Sequence, residues 1–325
     1  MTEQLKQLTQ INAPSGQEEE MRQFIRAHIP PAAEIKEDAL GNIIVHLRGT
    51  GKKMMFAAHM DEIGIMVTYV EDNGYLRFTN VGGVSTANAL HSKVVFPGGI
   101  KGIITTGDSK KKDLKLADMY IDIGAKDKEE AEKLAPIGTT GVFCGAFDEI
   151  GGCVSSKALD DRAGCYVLLE VLQQIGNHEN DLYFVFTVQE EIGLKGAKTA
   201  AYGIEPDIGI AVDVTMCGDG IDGEKMAVKL GGGAAIKVRD SGMIAHPAVR
   251  SLLVETAREH DIPFQFEVLS GGTTDASGIQ ITKNGTPAGA VSIPCRYIHS
   301  SVELVNKEDL HSAVQLIRAV AEKTI

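Results

Sequence analysis

Continuous apolar runs and helical patterns alternate along much of the chain. Continuous apolar runs, which are typical of buried strands, lie at residues 54–58, 182–188, 208–212 and 289–293. Apolar residues that recur every three or four positions predict helices at residues 162–174, 193–201 and 306–323. This alternation predicts an α/β fold, with a mainly parallel sheet flanked by helices on both faces.

The pattern changes between residues 69 and 153. The predicted strands become short there, and turn signals such as Asn73-Gly74 divide them. Short strands with frequent turns predict a small β-rich domain. We therefore expect a catalytic domain formed by residues 1–68 and 154–325, with an inserted β-rich domain at residues 69–153.

A capping box is predicted close to the N-terminus. In this motif a Ser side chain and a Glu three residues later satisfy free backbone N–H groups at a helix start. Ser15 and Glu18 have this spacing, and the apolar residues Met21 and Ile25 follow at helical positions. We therefore expect Ser15 and Glu18 to cap the second helix.

Polar side chains follow the apolar strands at their ends. The strand at 54–58 leads into His59 and Asp61, which point the same way because side chains alternate along a strand. Asp61 can therefore fix the tautomer of a metal-bound His59 imidazole. A single His after a strand would, by itself, more often be structural.

Carboxylates follow two further strands. Glu190 and Glu191 come after the run at 182–188, and Asp213 follows the run at 208–212. Ligands of open α/β sheets collect at the carboxyl ends of strands, so these acids suit a functional crevice. Ordinary surface acids at a solvated strand end would give the same pattern.

Two other candidates lie at a helix start and in a loop. Asp160 and Asp161 precede the helix at 162–174, where the alternative role is an ordinary helix N-cap. His299 lies just beyond the strand at 289–293.

Five of these residues form a mixed imidazole and carboxylate set. Such a set suits two hydrolytic divalent ions of the zinc type, with one carboxylate bridging them and Glu190 left over as a base. The five candidate metal ligands are His59, Asp160, Glu191, Asp213 and His299.

These motifs together resemble the tetrahedral aminopeptidases. This family includes the glutamyl and deblocking aminopeptidases and belongs to the larger group of dinuclear zinc exopeptidases. The resemblance covers essentially the whole chain. It is carried by the segments at residues 59–62, 158–162, 188–193, 211–213, 271–276 and 296–300.

The resemblance implies a zinc exopeptidase-like fold and a dinuclear, metal-dependent aminopeptidase that removes N-terminal residues from peptides. It implies that Glu190 acts as general base toward a metal-activated water, with Asp61 supporting the metal-bound His. The two ions would be Zn²⁺ or Co²⁺. In the implied ligand arrangement, His59 and Asp213 serve one ion, Glu191 and His299 serve the other, and Asp160 bridges them.

Other functions remain open on the same residues. An amidohydrolase that deacylates N-acylated amino acids would use the same metal site. A polysaccharide hydrolase is disfavoured, because the chain has no Trp and an aromatic share of only 5%. A non-catalytic scaffold protein, in which the metal only stabilises the fold, is disfavoured because it would not need Glu190 as a base. Neither the preferred N-terminal residue nor the native metal is readable from the sequence.

Charge and cysteine usage limit the partners and the compartment. The formal net charge of −12 argues against nucleic acid, which proteins bind mainly through Lys and Arg. No signal peptide and no membrane-spanning stretch are recognisable, so we expect a cytoplasmic protein. The five cysteines are scattered, which favours reduced thiols over disulfides.

The expected partners are peptide substrates and further copies of the chain. The resemblance implies dimers formed through the inserted domain, and their assembly into a hollow tetrahedral dodecamer.

Overall fold

A computed structural model describes residues 2–31, 33–221 and 225–325. The strands in those ranges are β1 (Glu34–Glu37), β2 (Ile43–Leu47), β3 (Lys53–His59), β4 (Gly64–Val70), β5 (Leu76–Val81), β6 (Lys93–Val95), β7 (Lys101–Thr106), β8 (Met119–Asp122), β9 (Thr140–Phe143), β10 (Asp148–Ile150), β11 (Cys153–Ser156), β12 (Asp181–Thr187), β13 (Ile208–Met216), β14 (Ala234–Arg239), β15 (Phe264–Val268), β16 (Ala288–Arg296) and β17 (Glu303–Asn306). The helices are α1 (Thr2–Gln10), α2 (Glu19–His28), α3 (Thr86–Ala89), α4 (Lys128–Leu134), α5 (Leu159–Gln174), α6 (Lys195–Ile204), α7 (Pro247–Glu259), α8 (Asp275–Gln280) and α9 (Lys307–Glu322).

The large sheet has a parallel centre and antiparallel flanks. Its order is β1-β2-β12-β3-β13-β16-β17-β11-β10, with β14 and β15 attached beside β16. The central strands β12, β3, β13 and β16 are parallel to their neighbours within this group. The pairs β1-β2, β2-β12, β16-β17, β17-β11 and β11-β10 are antiparallel. The predicted α/β fold is confirmed, and the sheet as a whole is mixed.

Side chains alternate along each strand, and so each face of this sheet packs against its own set of helices. In β3, Met54 and Phe56 belong to the core shared with α1, α5, α7 and α9. Met55 and Ala57 belong to a smaller core shared with α6 and α8. Because neighbouring side chains of a strand point to opposite faces, one apolar run serves both cores. The carboxyl ends of the central strands are thereby held between two layers of helices.

The inserted segment forms a closed barrel of strands β4-β5-β8-β7-β6-β9. The barrel has its own apolar core, which includes Ile65, Phe78 and Ile121. Its first strand begins at Gly64 and its last ends at Phe143, whereas β10 and β11 pair with the large sheet. The predicted domain boundaries at residues 69–153 stay a prediction; the strands of the barrel span residues 64–143.

Among the helices of the described ranges, none combines the length and the apolar character that crossing a membrane requires.

Candidate metal centre and active site

One cavity of about 590 Å³ collects the candidate residues from distant parts of the chain. The end of β3, the loop after β12 and the second half of β13 reach it at the carboxyl ends of parallel strands, as the sequence pattern predicts. The start of α5 and the loop after β16 complete the same wall. We call this the active-site cavity; its lining includes His59, Asp160, Glu190, Glu191, Asp213 and His299.

His59 is buried at one end of the cluster. Its Nε2 lies 3.1 Å from Asp160 Oδ1 and 3.9 Å from both Glu190 Oε2 and Asp213 Oδ1. Its Nδ1 lies 3.1 Å from the backbone carbonyl oxygen of Asp61. A hydrogen bond from Nδ1–H to that carbonyl would direct the Nε2 lone pair toward the acids.

His299 lies at the other end of the cluster. Its Nε2 is 3.3 Å from Asp160 Oδ2 and 3.2 Å from Glu191 Oε1. The two oxygens of Asp160 therefore face two different imidazoles, one at the end of β3 and one in the loop after β16.

The donor set fits divalent cations. Side-chain atoms of His59, Asp160 and Glu191 lie within 4.8 Å of one another, and so do those of His59, Asp161 and Asp213. Imidazole nitrogen with carboxylate oxygen is a donor combination that zinc and cobalt accept.

Asp161 has a different place from the other acids. Its Oδ2 accepts a hydrogen bond from the backbone N–H of His59 at 3.1 Å, and its Oδ1 accepts one from Gly164 at 2.9 Å. Both oxygens thus accept backbone N–H groups, so Asp161 holds His59 and the first turn of α5 in place. The bond from Gly164 is of the helix-capping kind that the sequence left open for Asp161.

Crowding of buried acids changes their protonation. Burial raises the pKa of Glu190 and of Asp213 well above the usual range, and neighbouring carboxylates raise both further. Burial also opposes the charged form of Asp160, but hydrogen bonds from His299 and His59 lower its pKa overall. Burial likewise opposes the charged form of His299, yet its bonds to Asp160 and Glu191 raise its pKa to about 12. Cations in this cluster would relieve the repulsion between the carboxylates.

Asp61 anchors the segment that carries the two Glu residues. Its Oδ1 accepts the backbone N–H of Glu190 at 3.0 Å, and its Oδ2 accepts that of Glu191 at 3.2 Å. Ser15 donates its hydroxyl to Asp61 Oδ2 at 2.6 Å. The Asp61 carboxylate is 3.5 Å from His59 Nδ1, which is farther than its own backbone carbonyl. Asp61 therefore positions Glu190 and Glu191 as well as the imidazole.

The predicted capping box is wrong. The helix α2 begins at Glu19, with Glu18 at the N-cap position and no side-chain capping bond. Ser15 is committed to Asp61, and Glu18 accepts the N–H groups of Gly16 and Gln189. A tertiary hydrogen bond to the active-site cluster has replaced the local one that the spacing suggests.

Two supporting features were not recognisable from the sequence. Glu303, at the start of β17, accepts the backbone N–H of Asp160 at 2.9 Å and of His299 at 2.8 Å. Gly83, from the barrel, lies so close to His299 that a Cβ there would stand 2.6 Å from the ring Nδ1. Neither belongs to a pattern of spacing, because each acts on a segment far away in the chain.

Comparison with known proteins agrees with this arrangement. The model of the M42 glutamyl aminopeptidase family matches residues 41–316. The lysyl aminopeptidase of Pyrococcus furiosus is 38% identical over 306 residues, covering 90% of this chain and 88% of that protein. Among solved structures, aminopeptidase APDkam598 of Desulfurococcus kamchatkensis is similar with a TM-score of 0.93 and 41% identity, covering 99% of this chain and 94% of that one.

A further solved structure is that of the Pyrococcus horikoshii TET1 peptidase, which can assemble into a tetrahedron or a large octahedral shell. It has a TM-score of 0.89 and 38% identity to this chain, with 99% of each chain covered. Family match and structural likeness both extend over the cavity and the barrel. The chain therefore belongs to the M42 glutamyl aminopeptidase family, and its activity is that of an aminopeptidase.

Proposed function

We propose that this aminopeptidase works with two divalent ions, zinc or cobalt, bound by His59, Asp160, Glu191, Asp213 and His299. The observation that carries the proposal is the position of Asp160, whose two carboxylate oxygens lie 3.1 Å and 3.3 Å from two separate imidazoles. One carboxylate between two imidazoles is suited to bridging two ions, with Asp213 and Glu191 as the outer ligands. When bound, such ions lower the pKa of water and stabilise negative charge on a carbonyl oxygen.

Glu190 is the proposed general base. Its carboxylate lines the active-site cavity 3.9 Å from His59 Nε2, within reach of a substrate that enters there. Burial raises its pKa, so it can hold a proton taken from the attacking water and give it to the leaving amine. The backbone bond from Glu190 to Asp61 fixes the direction of this carboxylate.

The surplus of carboxylates supports cleavage at a free N-terminus. A protonated α-amine entering the cavity would meet a lining rich in carboxylates, among them Glu190. An acylated nitrogen carries no charge and would gain nothing from them. The same residues therefore favour an aminopeptidase over a deacylase of N-acylated amino acids.

The cavity gives no support to polysaccharide hydrolysis. Among its described lining residues there is no Phe, Tyr or Trp. Extended sugar sites commonly stack their rings on such side chains, and the lining here is instead aliphatic, glycine-rich and charged.

We also propose assembly into a tetrahedral dodecamer through the barrel. Large apolar side chains are exposed on it, including Tyr69 at 48% and Ile137 at 63%. Exposed apolar groups of this kind mark interaction surfaces when they cluster.

The described cysteines are all free, which supports a reducing compartment such as the cytoplasm.

The test compares a dipeptide series with its N-acetylated counterparts, before and after chelation, with metal content measured in parallel. Free peptides should lose their N-terminal residue, acetylated ones should resist, and about two ions per chain should accompany activity. Chelation should stop turnover, and zinc or cobalt should restore it. Equal cleavage of acetylated peptides would establish the deacylase function instead.

A further inference from the structure

A buried lysine stands in the wall of the active-site cavity away from the candidate metal ligands. Lys237 belongs to β14 and lines the cavity, although its side chain is only 1% exposed. Thr215 and Met216, at the end of β13, and residues of the loop at 269–274 line the same part of the cavity. We call this part of the cavity the lysine wall.

The Lys237 ammonium is shared between two carboxylates. Strand register places Lys237 directly beside Glu267 of β15, and their side chains form an ion pair. The Oδ2 atom of Asp240 lies 3.6 Å from the same ammonium. Thr215 donates its hydroxyl to Glu267 Oε1 at 2.8 Å, which fixes the carboxylate against the lysine. Formally, one positive charge faces two negative ones.

Stability is a poor explanation for this network. Buried ion pairs pay a desolvation penalty that often exceeds their attraction, and apolar side chains of similar size do as well or better. Glu267 Oε2 and Asp240 Oδ2 have no hydrogen-bond partner among the described residues, which adds to that penalty. A costly ionic group at the edge of a catalytic cavity points to a role toward the substrate.

The lysine wall also contains aliphatic surface. Met216 and Leu269 contribute it, and Gly271 and Gly272 leave space beside it. The other lysine of the described lining, Lys198, donates to a backbone carbonyl oxygen of Gly193 at 2.9 Å. Its ammonium is thus engaged at a different segment of the rim.

We propose that the lysine wall receives the side chain of the substrate's N-terminal residue and selects uncharged, apolar side chains over both acidic and basic ones. The proposal rests on the aminopeptidase reaction proposed above. An entering carboxylate would have to compete with Glu267 for Lys237 and would meet Asp240 behind it. Of these three charged groups Lys237 lines the cavity, whereas the Asp240 and Glu267 side chains are fully buried, so an entering ammonium would meet the Lys237 ammonium first. An aliphatic side chain meets neither conflict and gains contact with Met216 and Leu269.

The first test measures kcat/KM for the p-nitroanilides of Leu, Met, Glu and Lys with the metal-loaded enzyme. Leu and Met substrates should exceed Glu and Lys substrates by about tenfold or more, the scale of a unit-charge conflict in a cavity that is still largely hydrated. Glu or Lys substrates that are cleaved as fast as Leu would overturn the proposal. Failure to cleave any of the four would instead count against the proposed function.

Two charge changes in the wall should move selectivity in opposite directions. Glu267→Gln keeps the shape but releases Lys237, so the Glu-to-Leu ratio of kcat/KM should rise about tenfold. Lys237→Met leaves the carboxylates without their cation, so the Lys-to-Leu ratio should rise. The matched control is Glu259→Gln, which breaks an ion pair with Lys323 at the end of α7, outside the lining of the cavity.

A third variant tests the proposal without substituting a buried residue. Met216 is 41% exposed, so Met216→Lys should fold normally and should raise the Glu-to-Leu ratio without disturbing the network. Product binding gives an independent reading: L-leucine should raise the Tm of the wild-type enzyme more than L-glutamate does. Unchanged ratios in folded Glu267→Gln and in Met216→Lys would show that the wall does not contact the N-terminal side chain.

Discussion

Glu190 and Glu191 are neighbours in the chain, yet their carboxylates approach different imidazoles. Glu190 Oε2 lies 3.9 Å from His59 Nε2, whereas Glu191 Oε1 lies 3.2 Å from His299 Nε2. Asp61 accepts the backbone N–H of both residues, so the divergence is fixed by one side chain beneath them. Two adjacent acids thereby acquire separate tasks.

Substitution of each Glu by Gln separates these tasks. Glu190→Gln keeps the shape and removes the base, so it should retain both metals while turnover falls on the order of 10²–10⁴. Glu191→Gln removes a charged ligand and should weaken metal binding, with partial rescue by added metal. Metal content and kcat are measured on both proteins.

Glu205→Gln provides the control, since Glu205 lies on the surface in an ion pair with Lys283. Normal turnover by Glu190→Gln would contradict the assignment. So would metal loss in Glu190→Gln combined with full occupancy in Glu191→Gln.

Glu303 should control metal affinity without touching the metals. It accepts two backbone N–H groups, from Asp160 and from His299, and a Gln amide would present a donor to one of them. Glu303→Gln should therefore weaken metal binding by about 10- to 100-fold, the usual effect of a lost supporting bond. Competition with a chelator measures this affinity directly.

The control for Glu303 is Glu308→Gln, an exposed residue in the first turn of α9. If Glu303→Gln binds metal as tightly as the wild type, the two backbone bonds do not position the ligands.

The site residues could be predicted from the sequence because they follow the ends of apolar strands. The apolar runs before His59, Glu190 and Asp213 are neighbouring parallel strands, and parallel strands bring their carboxyl ends to one edge. The flanking strands β1, β10 and β17 have only three or four residues, which is too short for a periodic signal. Their antiparallel pairing was therefore not predictable.

The roles of the supporting residues could not be predicted from the sequence, for a different reason. Ser15 has a local motif that predicts a helix cap, and its tertiary bond to Asp61 overrides that motif. Glu303 and Lys237 sit in short strands with no repeated pattern around them. Their roles depend on which distant segment packs beside them, and this information appears only in the folded chain.

Gly83 should be irreplaceable because of the His299 ring. A Cβ at this position would lie 2.6 Å from Nδ1 and 2.7 Å from Cε1, closer than side-chain atoms normally approach. Gly83→Ala should displace the imidazole, lower metal occupancy and reduce kcat, while the barrel stays folded. Gly107→Ala is the matched control, since nothing lies within 4 Å of its added Cβ. Full metal occupancy in Gly83→Ala would show that the loop yields instead.

Assembly should depend on the exposed apolar groups of the barrel. Ile137→Asp places a charge on a side chain that is 63% exposed, so the monomer should fold normally while the proposed dodecamer breaks into smaller species. Light scattering at working concentration gives the mass. Ile281→Asp, at a residue 69% exposed outside the barrel, is the comparison. A wild-type monomer, or equal disruption by both variants, would refute assembly through the barrel.

Asp309 should give the stability of the enzyme a pH dependence that is separate from the metal cluster. Its two oxygens accept the N–H groups of Gly231 and Gly233, each at 2.7 Å, in a buried position at the start of α9. Burial raises its pKa to about 6 in spite of these bonds. An unfolded Asp titrates near pH 4.

Between about pH 4 and pH 6 the folded state therefore binds more protons at Asp309 than the unfolded state does, and stability falls as pH rises through that window. Asp309→Asn removes this titration and leaves the acids of the cavity unchanged, so the Tm difference between wild type and variant isolates it. We expect the wild-type Tm to decline relative to Asp309→Asn from pH 4 to pH 6 and the difference to level off above pH 7. A difference that is flat across the window, or that grows in favour of the wild type, would mean that the two backbone bonds outweigh burial at this carboxylate.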